Sequence, residues 1–264
     1  MAWAFDTSVP SVARMYDVLL GGKDNFESDR AAVARIMELE PDSPLVAQRN
    51  RAFLRRAVRF LAGEAGVRQF LDVGSGLPTM DNVHEVAQEA DPAARVVYVD
   101  NDPVVLSHAR ALLTSSPEGR CDYVDCDLRD TGAILAQAKK TLDFSQPVAV
   151  MLLAILHFIP DEDDPWDLVA RLLAAVPPGS YLVVSHALSD DLTGSQQEGL
   201  NAVYAGTRSG GVNQRPVQDI ARFFAGLDLA EPGLVETSSW RPLMAQATEQ
   251  PGKRLFYGGV GRKP

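Results

Sequence analysis

The stretch FLDVGSGLPT, residues 70–79, decides the fold that we expect for this protein. A short apolar run ends in Asp72, a Gly-Ser-Gly turn follows at 74–76, and a predicted helix begins after the turn. Glycines let the backbone approach a bound molecule closely, and a helix N-terminus presents N–H groups that lack partners. The stretch therefore predicts a strand, a turn that can receive a ligand, and a helix.

Two kinds of ligand loop begin with such a turn. A dinucleotide-binding loop follows G-x-G-x-x-G, in which the third glycine allows the helix to pack closely on the strand. Here Gly74 and Gly76 supply the first two glycines, and Thr79 stands at the third position. Asp72, inside the strand, suits a ligand with an ammonium group better than it suits a pyrophosphate. Because a Gly-x-Gly turn is a weak signal by itself, the neighbouring strands must decide between a cofactor loop and a plain turn.

Strands and helices alternate from Arg68 onward. The predicted parallel strands are the short apolar segments RQFLDVG (68–74), ARVVYVD (94–100), CDYVDCD (121–127), PVAVMLLAI (147–155) and SYLVVSHA (180–187). Such runs are typical of strands covered by helices on both faces, so the pattern predicts a doubly wound, mostly parallel α/β sheet. Two further strands, near 233–238 and at 254–261, are predicted to add an antiparallel pair at one edge.

The first part of the chain is predicted to be helical. Apolar residues recur there at helical spacing, so we expect residues 1–65 to form a helical cap on a core of residues 66–264, within a single domain. The segment YDVLLGGKDNFESDR (16–30) contains a Gly-Gly-Lys that invites comparison with a phosphate loop. A Walker motif would need glycine in place of Asp17 and serine or threonine in place of Asp24. The glycines are therefore predicted to end the first helix.

Polar side chains end the next two predicted strands. Asp100 ends the second strand, where a carboxylate can accept hydrogen bonds from both hydroxyls of a ribose. Asp102 precedes Pro103 and is predicted to cap the helix that follows. Asp127 and Leu128 follow the third strand, where the acid can accept from an exocyclic amine and the leucine can pack on a base. Together with the Gly-rich turn, these strand ends describe a nucleoside ligand that carries an amino acid.

These strand ends resemble the cofactor-binding positions of class I S-adenosylmethionine-dependent methyltransferases in order and spacing. More narrowly, the chain is similar to an actinobacterial family of S-adenosyl methyltransferases that was once labelled a domain of unknown function. The segments that carry this similarity are ARMYDVLLGGKDNFESDR (13–30), VGSGLPTMDNVHEVAQ (73–88), VVYVDNDPVVLSHARALL (96–113) and LHFIPDEDDP (156–165), with VPPGSYLVVSH (176–186) similar to the superfamily's fifth strand. The resemblance implies a seven-stranded Rossmann-like methyltransferase fold, S-adenosylmethionine as cofactor, and an enzyme that transfers the cofactor's methyl group.

The resemblance also assigns residues to the cofactor. They are the backbone of Gly74, Ser75 and Gly76 beside the methionine part, Asp72 near its ammonium group, Asp100 at the ribose, Asn101 flanking the adenine, and Asp127 with Leu128 recognising it.

Methyl transfer requires few catalytic groups from the protein, because the sulfonium of the cofactor already makes the methyl group electrophilic. The protein must align the acceptor with the S–CH₃ bond, and it needs a base only if the acceptor holds a proton of high pKa. His157, after the fourth strand, is the candidate base; the alternative is a histidine packed under a loop and bonded to backbone. Tyr16, Asn25 and Phe26 are predicted to belong to a lid that faces the acceptor.

We therefore expect a methyltransferase that acts on a small molecule with an oxygen or nitrogen acceptor. The alternative is a regulatory or scaffold protein that binds S-adenosylmethionine without catalysis. A nicotinamide-dependent oxidoreductase is disfavoured by the missing third glycine.

Charge and composition restrict the partners and the compartment. The formal net charge of -10 disfavours binding to nucleic-acid backbone. The longest apolar run, VAVMLLAIL (148–156), is far short of a membrane span, and the first residues lack the pattern of a secretory signal. We expect a cytoplasmic protein that acts on a small molecule and has no nucleic-acid or membrane partner.

Three other segments could suggest binding sites, but each has a simpler structural interpretation. DEDDPWD (161–167) is predicted to cap a helix through Asp164 and not to bind a metal. The arginines at 49, 51, 55, 56 and 59 are predicted to form the solvated face of a helix, not a phosphate-binding patch. TRSGGVNQRP (207–216) is predicted to be a flexible rim loop.

Overall fold

The predicted apolar runs form the strands of a central sheet. The computed structural model describes residues 6–78, 81–112, 114–242 and 255–264. The parallel strands are β1 (Gln69–Val73), β2 (Arg95–Asp100), β3 (Arg120–Asp125), β4 (Ala149–Leu153) and β5 (Tyr181–Ala187). Towards the C-terminus the described residues add β6 (Asp228–Leu229), β7 (Val235–Glu236) and β8 (Phe256–Arg262).

The strand order is β3-β2-β1-β4-β5-β8-β6, and β7 also pairs with β8. β8 runs antiparallel to β5, as predicted for the C-terminal pair. β6 and β7 both pair with β8, but at different heights: Leu229 lies opposite Gly261, and Val235 lies opposite Gly258. The two short strands thus share one position in the sheet, which gives the seven positions that the sequence predicted. The fold is Rossmann-like, with a mostly parallel sheet.

Both faces of the sheet are buried, which explains why its strands are continuous apolar runs. Along β1 the side chains alternate between two clusters: Leu71 and Val73 pack on one face, and Phe70 packs on the other. The helices that the sequence places between the strands cover these faces. The helices are α1 (Val12–Leu19), α2 (Glu27–Leu39), α3 (Ser43–Arg59), α4 (Val83–Ala90), α5 (Pro103–Leu112), α6 (Thr131–Ala138), α7 (Pro165–Ala174), α8 (Gly194–Ala205) and α9 (Val217–Ala221).

The N-terminal helices form an apolar cluster of their own. Met15 of α1 and Ile36 of α2 pack there against Leu200 and Val203 of α8. α3 lies deeper, because its Phe53 is fully buried in the cluster on one face of the sheet. α1 and α2 therefore lie beyond α3, together with α8.

The prediction of a solvated arginine face on α3 is wrong for Arg49 and Arg56, whereas Arg59 is exposed as predicted. Arg49 and Arg56 are each only 8% exposed. The Arg56 guanidinium donates to the backbone oxygens of Trp240 and Thr237, at 2.7 and 2.5 Å. Helical periodicity alone cannot reveal these partners, because they lie more than 180 residues away along the chain. The two arginines attach α3 to the C-terminal part of the protein.

The interpretation of residues 207–216 as a flexible rim loop is also wrong at its C-terminal end. Arg215 is 3% exposed, and its guanidinium donates to the backbone oxygens of Leu156 and Ile159 at 3.0 and 2.8 Å. The backbone N–H of Asn213 donates to the His157 oxygen at 2.6 Å. The segment thus holds the loop that follows β4.

The acidic segment at 161–167 caps a helix, as predicted. The Asp164 carboxylate accepts a hydrogen bond from the Asp167 backbone N–H at 3.1 Å, and Pro165 occupies the first turn of α7. Within the part of the chain that the structure describes, no His, Cys, Asp and Glu side chains form a group of three or more that could hold a metal ion. None of the described helices is long and apolar enough to span a membrane.

Candidate functional site

A cavity of about 440 Å³ opens at the carboxyl ends of the parallel strands. This is the edge at which ligands bind in open α/β sheets, and the volume lies within the usual range for small-molecule sites. All of the predicted cofactor residues line this cavity, and so do His157 and Tyr16. Asn25 and Phe26 are not among its lining residues.

The turn after β1 is fixed in shape by its glycines. Gly74 has φ +76, and a Cβ placed there would come within 2.5 Å of the Ile155 side chain. Gly76 also has a positive φ of +66. The backbone N–H groups of Gly74 and Ser75 donate to the Val99 oxygen, at 2.8 and 3.2 Å. The turn therefore lies tightly against the end of β2, with its backbone at the wall of the cavity.

Asp100 connects the end of β2 to this turn. Its Oδ2 accepts a hydrogen bond from the Gly76 N–H at 2.9 Å, and its Oδ1 accepts from the Asp102 N–H at 2.9 Å. Burial raises the pKa of Asp100 to about 6, although these two hydrogen bonds favour the charged form. Each carboxylate oxygen has two lone pairs, so both can still accept from a ligand hydroxyl.

Asp72 is the more deeply buried acid, at 5% exposure. Burial raises its pKa to about 7, the Arg51 guanidinium opposes this rise, and the Asp100 charge adds to it. A buried carboxylate with a raised pKa is stabilised by a cation that enters the cavity, because an opposite charge favours ionisation. The site is thus electrostatically suited to a ligand with an ammonium group.

At the end of β3, Asp127 lies in a polar network. Its Oδ2 accepts from the Asn101 side-chain amide at 3.0 Å, and both of its oxygens accept from the Arg129 guanidinium at 3.2 Å. The same guanidinium donates to Asp163 at 2.6 Å. Leu128 is buried beside this network, at 6% exposure. This end of the cavity offers acceptor oxygens beside an apolar surface.

His157 is buried and lies against three other rings. Its ring centroid is 4.3 Å from that of Phe158, 5.4 Å from that of His186 and 5.5 Å from that of Phe256. The backbone N–H of Ala187 donates to its Nδ1 at 3.4 Å, an arrangement that leaves the ring proton on Nε2. Burial, with His186 and Arg215 nearby, lowers its pKa well below the ordinary value. In this arrangement the Nε2 of His157 carries the ring proton and cannot accept another, so the geometry does not favour the role of base.

Tyr16 and Asn25 belong to different environments. The Tyr16 hydroxyl lies against α3, where it donates to the Ala47 backbone oxygen at 3.1 Å. The Asn25 side chain instead donates to Asp17 Oδ2 at 2.9 Å and to the Gly22 oxygen at 3.1 Å.

Phe26 is 37% exposed, with the Arg14 guanidinium 5.3 Å from its ring centroid. Asn25 and Phe26 therefore shape the turn between α1 and α2 without lining the cavity. The physical reason is the buried Asp17 carboxylate, which also accepts from the Asp24 N–H at 3.0 Å and holds the turn back against α1.

Sequence reasoning missed the contribution of α3. One face of this helix lines the cavity, through Ser43, Val46, Ala47, Asn50, Arg51 and Leu54. Asn50 is 4% exposed, and its Nδ2 donates to the Tyr16 hydroxyl at 2.9 Å. The spacing of three and four residues could have revealed this face, but it also fits an ordinary core-facing stripe.

Comparison with known proteins agrees with the resemblance found in the sequence. The family described as S-adenosyl methyltransferase matches residues 2–264. A DUF574 family protein from Streptomyces avermitilis MA-4680 is 42% identical, over 98% of this chain and 99% of that chain, with a TM-score of 0.93. A candidate methyltransferase from Thermobifida fusca YX is also 42% identical, over 100% of this chain and 99% of that chain, with a TM-score of 0.88.

More distant structures share only the fold. An O-methyltransferase family protein from Burkholderia thailandensis is 16% identical, over 92% of this chain and 62% of that chain, with a TM-score of 0.53. No protein with a curated description matches this chain.

Proposed function

This chain belongs to the S-adenosyl methyltransferase family, and from that membership we propose that it transfers a methyl group from S-adenosylmethionine to a small molecule. The acceptor in this proposal is an oxygen or nitrogen atom. The observation that carries the proposal is the convergence of Asp72, Asp100 and Asp127. They lie at or close to the ends of three adjacent strands and line one cavity beside the Gly74–Gly76 turn.

The polar groups in the cavity match the parts of the cofactor. Asp72 has a raised pKa of about 7 and would bind the ammonium of the methionine part. The turn at Gly74, Ser75 and Gly76 leaves room for the cofactor because its glycines keep side chains out of that space. Asp100 keeps acceptor capacity for the two ribose hydroxyls, despite its two backbone hydrogen bonds.

The adenine would lie at the end of β3. Asn101 would flank the base, Leu128 would pack on it, and Asp127 would accept from its exocyclic amine. Asp127 already accepts from Asn101 and Arg129, so the amine would share this carboxylate with them.

When bound, the cofactor supplies an activated methyl group, and the protein holds the methyl acceptor in line with it. The other side of the cavity is lined by apolar side chains from α1, α2 and α8, with Met15, Ile36, Leu200 and Tyr204 among them. This wall suits a small acceptor with an apolar body, since burial of apolar surface stabilises binding. We place the acceptor here, between the turn after β1 and the helices, and we treat residues 1–65 as a cap that closes this side within one domain.

Isothermal titration calorimetry with S-adenosylhomocysteine, S-adenosylmethionine and NAD tests the proposal. We expect both adenosyl compounds to bind one per chain and NAD to give no saturable heat. Tight binding of NAD without binding of S-adenosylhomocysteine would overturn the proposal.

A screen of metabolites for labelled methyl transfer would then identify the acceptor. If the cofactor bound but no metabolite in an extract of the cells that make this protein became labelled, the result would favour the alternative of a regulatory or scaffold protein that binds S-adenosylmethionine without catalysis.

A further inference from the structure

One buried hydrogen-bond acceptor, on a residue that lines the cavity, is unexplained by the cofactor roles above. Asn50 Oδ1 is buried and has no hydrogen-bond partner among the described residues. Leaving a buried carbonyl oxygen without a donor is unfavourable, so such an atom calls for an explanation, such as a ligand.

The orientation of the Asn50 amide follows from its neighbours. The backbone oxygen of Ala47 can only accept, so the Tyr16 hydroxyl uses its single proton to donate to that oxygen, at 3.1 Å. The hydroxyl oxygen must therefore accept from Asn50, and Nδ2 lies 2.9 Å from it. This chain of donors fixes Nδ2 towards Tyr16 and leaves Oδ1 as the acceptor without a partner.

Asn50 lies on the face of α3 that lines the cavity, together with Val46 and Ala47 one turn back towards the helix N-terminus. Arg51, the next residue, also lines the cavity and acts electrostatically on Asp72, which is assigned to the methionine part of the cofactor. A donor on the methyl acceptor would meet Oδ1 on this face of α3.

Building on the proposed function, we propose that Asn50 Oδ1 accepts a hydrogen bond from the N–H of a primary or secondary amine and orients its lone pair towards the transferred methyl group. The acceptor is thus an amine with an apolar body, and Asn50 is the residue that positions its reacting nitrogen. Tyr16 acts through Asn50, because its hydroxyl holds the amide in the required orientation.

The amine reacts in its neutral form, after any ammonium proton has passed to water, and from that form the atoms and charges of the step balance without a base in the protein. The nitrogen lone pair forms the N–CH₃ bond while the S–CH₃ bond breaks, and the electron pair of that bond stays on sulfur as a neutral thioether. The product is an ammonium ion, which then loses one proton to water. As positive charge develops on nitrogen its N–H becomes a stronger donor, so the bond to Oδ1 is strongest in the transition state.

An alcohol fits this arrangement less well than an amine. Its proton must be removed for reaction, and an amide oxygen is not a base. His157 holds its ring proton on Nε2 and offers no acceptor there, and Asp72 is assigned to the cofactor's ammonium group.

Sinefungin provides a binding test, because its C–NH₂ group stands where S-adenosylmethionine has its S–CH₃ group and so places an N–H donor next to the position of the reacting nitrogen. Calorimetry compares sinefungin with S-adenosylhomocysteine in the wild type, in Asn50→Leu and in Asn50→Asp. We expect Asn50→Leu to lose about 10- to 100-fold in sinefungin affinity, since a bond to a charged donor is removed, and to keep its affinity for S-adenosylhomocysteine within about threefold. Asn50→Asp retains an acceptor oxygen, so we expect it to bind sinefungin at least as tightly as the wild type does.

Three results would overturn the inference. The first is an equal loss for both ligands in Asn50→Leu, which would assign Asn50 to the methionine part of the cofactor. The second is unchanged sinefungin affinity in Asn50→Leu. The third is a loss of sinefungin affinity in Asn50→Asp as large as the loss in Asn50→Leu. Failure of the wild type to bind either ligand would instead contradict the proposed function itself, so the two failures are distinct. The thermal unfolding midpoint of each variant verifies that it is folded.

Discussion

Asp100 Oδ2 accepts a hydrogen bond from the Gly76 backbone N–H at 2.9 Å, and this contact joins the end of β2 to the turn after β1. The carboxylate therefore has two tasks in the proposed site, since it shapes the turn and would also bind the ribose hydroxyls.

The first prediction concerns the affinity for S-adenosylhomocysteine. Asp100→Ala should weaken it by about 10- to 100-fold, because hydrogen bonds between a charged acceptor and two hydroxyls are lost. Asp125→Ala is the matched control, since Asp125 pairs with Asp100 in register at the end of β3, is exposed and does not line the cavity. Calorimetry on both variants measures the effect, and equal losses would show that Asp100 has no special part in binding.

The second prediction concerns pH and the free energy of unfolding. The folded-state pKa of Asp72 is about 7, above its ordinary value of 3.8, so the folded protein binds this proton more tightly than the unfolded chain does. Stability contributed by this proton is present below about pH 4 and is lost as pH rises to about 7, by up to about 1.4 kcal/mol per pH unit.

Asp72→Asn isolates this contribution. His84, His157 and His186 have lowered pKa values and produce an opposite trend, with stability rising as pH rises towards 6.5. Because these histidines are present in both proteins, their effect cancels in the difference between the variant and the wild type. Urea unfolding from pH 5 to 8 should show that the advantage of Asp72→Asn grows up to about pH 7. A difference that does not vary with pH would contradict the assignment.

The third prediction concerns the loop after β4. Arg215→Met should lower the free energy of unfolding by about 2 to 6 kcal/mol, because the buried backbone oxygens of Leu156 and Ile159 lose their donor. Arg222→Met is the control, since the Arg222 side chain is 56% exposed and its ion pair with Asp219 is superficial. We expect the control to change stability by no more than about 1 kcal/mol in urea unfolding. Similar losses of stability in the two variants would argue against a special role of Arg215 in holding the loop after β4.

The fourth prediction concerns the turn between α1 and α2. A Cβ at Gly22 would overlap the buried carboxylate of Asp17, which accepts from the Asp24 N–H and the Asn25 side chain. Gly22→Ala should therefore destabilise the protein by about 1 to 3 kcal/mol, as expected for overpacking.

Gly63→Ala provides the comparison for Gly22→Ala. A Cβ at Gly63 would meet nothing within 4 Å, and the residue lies in the helical turn at Phe60–Glu64. We expect this control to be neutral or to stabilise the protein by about 0.5 to 1 kcal/mol, because alanine favours the helix. Thermal unfolding distinguishes the two variants, and a neutral Gly22→Ala would show that Asp17 can move at little cost.

Much of the proposed cofactor site was predictable because its residues follow directly from the strands. Asp72, Asp100 and Asp127 each lie at or next to the end of an apolar run, and parallel strands bring such ends to one edge of the sheet. The acceptor side was less accessible to prediction. Asn25 looked as promising as Tyr16 in the sequence, yet the buried Asp17 binds Asn25, and the cavity receives Asn50 in its place.

The sequence by itself determined the doubly wound, mostly parallel fold and the edge at which a ligand would bind. These features depend on local patterns of apolar residues and on rules of chain connection, which a single sequence contains. Only the tertiary structure decided that Asn50 meets Tyr16 across 34 positions, that Arg215 clamps the loop of His157, and that the Nδ1 of His157 accepts from Ala187. These contacts join residues far apart in the chain, and their donors and acceptors become assigned only when packing brings the side chains together.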